Sequence, residues 1–142
     1  MGGSKSNPAK SFEEIEHTAD RAYRVRGKNL RELFVRAARG LYSLVEMQLK
    51  SETKTVRSIE LEAIDPESLL VAWLNELLYL HESEGLGFDR IQIDYLDRTS
   101  LKATVQGTST RKWLEDIKAV TYHNLSIRET ESGLEVTLVL DV

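Results

Sequence analysis

Asp20 and Asp141 are the residues whose types and placement in this sequence could do chemistry. Asp141 follows Leu140 on an alternating apolar segment, so it falls on the face opposite Leu138 and Leu140, beside the terminal carboxylate of Val142. If Asp20 comes alongside, oxygen-bearing groups gather that suit a hard divalent cation, calcium first, with magnesium or manganese as alternatives. Spacing alone does not bring them together. Taken singly, Asp20 reads as a turn or strand-end residue and Asp141 as a solvated acid. The histidines His17, His81 and His123 fall in different predicted elements, so a zinc site would have to be assembled by the fold. His81 is expected on a helix surface.

Much other chemistry is excluded. The chain has 0 cysteines, which removes thiolate nucleophiles, zinc ribbons, iron-sulfur clusters and disulfides, and fits a reducing compartment such as the cytoplasm. No phosphate loop, nucleophile elbow or His-Glu-x-x-His helix is present, so the sequence does not read as an enzyme. A metal-dependent phosphoester hydrolase, with Asp20 and Asp141 as ligands and His17 or His123 as general base, is the alternative from the enzyme class. A chaperone-like interaction module using charged faces is the other.

The elements that must position these residues follow from size and pattern. At 142 residues, 41% hydrophobic and 30% charged, the chain predicts one soluble domain with a single core. No apolar run approaches the ~20 residues that a bilayer demands, so no membrane span is expected. Residues 1–11 read as a flexible tail and 12–142 as the domain. Nineteen basic and 23 acidic residues give 19 − 23 = −4, which argues against binding nucleic acid by whole-molecule attraction. Arg21 to Arg39 nevertheless carries a local +6 and Glu60 to Asp97 a local −9. Either two faces of opposite potential result, or the charges cancel in three dimensions.

Alternating segments predict strands at Phe12 to Glu16, Arg21 to Arg26, around Ile59, Ile91 to Tyr95, Leu101 to Val105, Ala119 to Glu129 and Leu134 to Leu140. Asn29 with Glu32 is a capping-box variant opening one helix, whose stripe runs Leu30, Leu33, Phe34, Ala37, Leu41 and Val45. Asp65-Pro66 opens a second helix that ends near Glu84-Gly85. The predicted class is α+β, a mainly antiparallel sheet of about seven short strands with two amphipathic helices packed on one face.

Three stretches combine into a more specific pattern: Glu16-His17-Thr18-Ala19-Asp20, the segment Lys118-Ala119-Val120-Thr121-Tyr122-His123, and the closing Asp141-Val142. Together they resemble the archease family, over essentially Phe12 to Val142. The resemblance implies an α+β sandwich that is not itself an enzyme. It implies a protein cofactor of the GTP-dependent tRNA-splicing RNA ligase, promoting the ligase's guanylylation and repeated turnover. In that reading the ligase uses the GTP and RNA is met indirectly, through the ligase. The resemblance carries a divalent-metal site over to Asp20, Asp141 and Val142. Lys118, His17 and His123 lie in matching motifs and are candidate partner contacts. One departure is Arg21, where the family commonly has a small or aliphatic residue; a guanidinium aimed at the site would oppose a cation.

Overall fold

The computed structural model describes residues 11–15, 21–50, 54–122 and 124–142. In chain order these form β1 (Phe12–Ile15), β2 (Arg21–Gly27), α1 (Leu30–Leu44), β3 (Gln48–Leu49), β4 (Thr55–Glu62), α2 (Pro66–Glu84), β5 (Leu86–Leu96), β6 (Ser100–Lys112), β7 (Ala119–Thr121), β8 (Arg128–Thr130) and β9 (Gly133–Asp141). Residues 1–10 of the expected tail lie outside the described residues.

The helices start and stop where their caps dictate. The Asn29 side chain accepts from the Glu32 amide at 2.9 Å, and the Glu32 carboxylate accepts from the Lys28 amide at 2.7 Å, one residue before the cap. Asp65 caps α2 by accepting from the Ser68 amide at 2.7 Å. That bond holds the Asp65 carboxyl below its ordinary range. Gly85 ends α2 at φ 70°, a left-handed conformation that a residue without Cβ adopts at no steric cost.

The class is α+β, as the pattern predicts, but the strands form two antiparallel sheets instead of one. In the first, the order is β1-β2-β9-β7, with β8 also on β9. In the second, β6 is flanked by β4 and β5 and also pairs with β3. Each helix touches both sheets: α1 packs on β1, β2 and β9 and reaches β5, while α2 packs on β4, β5 and β6 and reaches β7. The helices therefore fill the space between the sheets, and each sheet keeps one wet face.

Leu33, Phe34, Ala37, Ala38 and Leu41 of α1 meet Leu69, Leu70, Trp73, Leu74 and Leu77 of α2 in a core of fully buried side chains. Each large apolar side chain removed from water stabilises the fold by about 1.5–3 kcal/mol. Two large polar-tipped side chains inside are anchored to the main chain of α1. The Trp73 indole donates to the Phe34 carbonyl at 3.0 Å, and the Tyr23 hydroxyl donates to Ala37 at 2.8 Å. Burial pushes the Tyr23 phenol far above its ordinary range.

Among the described residues the strands number nine where about seven are expected. The additions have identifiable causes. The predicted strand Ala119 to Glu129 is broken by a turn in which the Leu125 amide donates to Tyr122 at 3.1 Å, with Asn124 at φ 53°. Asn tolerates that left-handed conformation through its short polar side chain. The second addition, β3, is two residues long, too short for alternation to register.

Candidate functional site at the end of the first sheet

Strand pairing in the first sheet brings Lys118 and Asp141, two of the sequence-predicted positions, together. Arg21, next in the chain after Asp20, pairs in register with Leu140, next before Asp141. Leu140 and Asp141 in turn pair with Val120 and Ala119. The Lys118 amide donates to the Asp141 carbonyl at 2.8 Å, so Lys118 and Asp141 are joined through their main chains. Val136, Leu138 and Leu140 are buried and Asp141 is exposed, the alternation that the sequence predicts. Val142 is 41% exposed and the Lys118 side chain is exposed. Asp20, His17 and His123 lie outside the described residues. Among the described residues, no three His, Asp or Glu side chains gather to hold a metal ion.

Arg21 shares the helix-facing side of the sheet with its register partner Leu140, whereas Asp141 points from the other side. Its guanidinium is paired with Glu14 at 2.7 Å and with Glu115. Two carboxylates thus hold this charge on the far side of the strand from Asp141.

The segment that carries Lys118 is strapped along α2 from Trp113 to Ile127. The Trp113 ring stacks on the His81 ring, with centroids 3.6 Å apart and planes 9° from parallel, and it meets Tyr42 edge-on at 6.0 Å and 81°. The Leu114 amide donates to Val45 at 2.6 Å, and Ile117 enters the core. Halfway along, the Asn75 side chain clamps Val120 twice, donating to its carbonyl at 3.2 Å and accepting from its amide at 2.8 Å. At the far end the Glu67 carboxylate accepts from the Ile127 amide at 3.0 Å. Asn75 and Glu67 thereby satisfy backbone groups that β7 and its loop would otherwise leave open.

His81 departs from expectation. It is half-buried beneath Trp113 instead of lying on an open helix surface. Desolvation lowers its pKa from the ordinary 6.5, outweighing Asp116 and Glu82, whose charges act to raise it. Trp113, Asn75 and Glu67 escaped the sequence reading. An amide side chain among the leucines of α2 is the one signal that pointed toward a bound strand.

This architecture is that of a known class of small two-sheet α+β proteins. A crystal structure of an archease from Thermotoga maritima matches with a TM-score of 0.68 and 27% identity, over 99% of this chain and 100% of that one. A solution structure of a protein from Methanobacterium thermoautotrophicum matches at 0.67 and 26% identity, over 93% of this chain and 99% of that one. Protein archease of Methanosarcina barkeri is 34% identical over 145 aligned positions, which cover 96% of this chain and 99% of the relative. The sequence model of the Archease protein family matches residues 12–142. The chain belongs to the archease family.

Proposed function

We propose that this archease is a protein cofactor of a GTP-dependent tRNA-splicing RNA ligase and promotes the ligase's guanylylation and turnover. In this reading Asp20, Asp141 and Val142 hold a divalent cation, calcium first, with magnesium or manganese as alternatives. Lys118, His17 and His123 contact the ligase, in the cytoplasm. The observation that carries the reading is the pairing of Arg21 with Leu140, which sets the chain positions next to Asp20 and Asp141 side by side in a family member. The exposed Asp141 carboxylate is a hard oxygen donor, and the Arg21 charge is balanced by Glu14 and Glu115. Among the described residues this set contributes one side-chain carboxylate, and the reading takes Asp20 as the second. When bound, a divalent cation supplies concentrated positive charge for phosphates or carboxylates at the ligase's entrance. This chain's own part is to present Asp141 and Lys118 on a fixed strand end, which Trp113, Asn75 and Glu67 hold against α2.

The test is formation of the ligase-guanylate adduct with GTP and a divalent metal, with and without this protein. The wild-type protein should accelerate it, and Asp141→Ala and Asp20→Ala should each lose at least about tenfold of that acceleration, as removal of a metal ligand does. Normal stimulation by both variants overturns the site.

A second reading is favoured by the Thermotoga protein, which is described as a possible chaperone. A chaperone-like module would suppress aggregation of a client without metal and would weaken steeply with salt.

A further inference from the structure

Most arginines of the basic run are balanced by the fold, and one that is not lies beside the single basic residue of the acidic run. In the basic run, Arg21, Arg24, Arg26 and Arg36 are in ion pairs with glutamates, and Arg31 donates to the Ile93 carbonyl. Arg39, exposed on α1, has no such partner among the described residues. Arg90 is the one base within the acidic run, and it is exposed on β5 without an acidic partner among the described residues.

These two arginines line the same groove, of about 340 Å³, whose wall also presents the side chain of Gln106. The groove's acid, Asp89, is neutralised by Lys54 at 2.8 Å. Arg39 also lines an adjoining groove of about 470 Å³, with Ser43 and Glu46. There Glu46 is neutralised by Lys112 at 2.9 Å. Two guanidinium groups drawn from different elements repel one another, and an anion bound between them removes that repulsion. Guanidinium forks match phosphate oxygens in pairs. Because the grooves adjoin and share Arg39, they offer a track longer than one small anion fills.

We propose that Arg39 and Arg90 form a phosphate-binding track for a single RNA strand, so that the protein touches RNA directly as well as acting through a partner. The inference deepens the reading above, taking the RNA as that of the ligation reaction. A net charge of −4 does not oppose it, since a local cationic track dominates at distances within the screening length.

The experiment is fluorescence anisotropy of the whole protein with a labelled single-stranded oligoribonucleotide at low salt. Wild type should bind. Arg39→Gln and Arg90→Gln should each weaken binding by about three- to tenfold and lower the slope of log affinity against log salt by about one. Lys102→Gln makes the same change in net charge on the exposed face of β6 and should leave affinity unchanged. The inference is overturned if wild type does not bind, if the arginine variants bind normally, or if Lys102→Gln weakens binding equally. It is also overturned if inorganic phosphate displaces the RNA far better than chloride at matched ionic strength, which would mark a small-anion pocket. Guanylylation of the ligase in the absence of RNA should be stimulated normally by Arg39→Gln. A protein that stimulates but does not bind RNA sinks this inference alone, and one that binds RNA but does not stimulate sinks the ligase reading alone.

Discussion

The wet faces of the two sheets are both rich in charge, yet they are neutralised in different ways. On the first sheet the balance is made across strands: Glu13 of β1 and Glu135 of β9 bracket Arg24 and Arg26 of β2, with Arg24 at 2.9 Å from Glu13 and 3.0 Å from Glu135. On the second, beside long-range pairs such as Lys54 with Asp89, acids are held by neutral donors in and next to the β5–β6 hairpin. Asp97 accepts from Tyr95, Thr99 and Ser100 and organises the turn between β5 and β6. Asp94 accepts from Gln92 at 2.6 Å and from Thr104 at 2.7 Å. These bonds hold both aspartates below the ordinary carboxylate range, through Tyr95 first for Asp97 and Thr104 first for Asp94. The lesson is that the charge of a segment does not foretell its potential. A long-range pair needs the finished sheet, whereas a turn acid is satisfied as soon as its hairpin forms.

The sheets should also differ in what breaks them. The largest effect is expected in the second, where β5 and β6 approach so closely at Gly107 that a Cβ would lie 1.8 Å from the Gly87 carbonyl oxygen. Gly107→Ala should cost at least about 3 kcal/mol, read as a drop in the urea midpoint, because backbone must move to admit it. A midpoint within error of wild type would show that the hairpin is not packed as described.

A smaller loss is expected where the strap crosses from one sheet to the other. Trp113→Ala should cost about 2 kcal/mol by removing the ring contacts with His81 and Tyr42. The stack also sets a pH dependence. The folded state holds the pKa of His81 below its ordinary 6.5, so it prefers the neutral ring. That preference contributes stability above about pH 6.5, and the contribution is lost as the pH falls through that value toward the folded pKa. His81→Phe keeps a ring under Trp113 and should flatten the stability curve between pH 7 and about 5. An unchanged slope would assign the titration elsewhere.

The smallest effects discriminate the two faces directly. Asp97→Ala should lower stability slightly by opening the turn's hydrogen bonds, with little response to salt. Arg24→Gln should cost about 0.5 kcal/mol or less, and the loss should vanish in high salt, since its pairs are partly solvated. If the two losses respond to salt alike, the contrast between the faces fails.

The sequence made these elements legible where the determinant is local. Asn29 with Glu32, Asp65 with Pro66, and Gly85 mark the helix ends because each cap is a bond or a backbone conformation within a few residues. The hairpin around Asp97 and the alternation ending at Asp141 were equally readable. What escaped depends on partners far apart in the chain. Nothing adjacent to His81 announces Trp113, and nothing near Arg21 announces Glu115. The separation of the strands into two sheets also has no local signature, because each strand shows one apolar side whichever sheet it joins. At the candidate site, the sequence foresaw the exposed face of Asp141 and the motif around Lys118. It did not foresee their main-chain bond or that Arg21 turns to the helix side, and its expectations for Asp20, His17 and His123 fall on residues outside those described.

The chain order of the two sheets carries a consequence for how the molecule forms. All strands of the second sheet lie between Gln48 and Lys112, whereas the first is assembled from both flanks and has β9, the last element, beside β2. The second sheet can close as soon as its own residues have left the ribosome, with the short β5–β6 hairpin joined by β4 across α2. The first must wait for β9, and β2 must hold its unpaired edge open until then. Until β9 docks, Tyr23 and Val25 lack the cover of Leu138 and Val136, their register partners, and are shielded by α1.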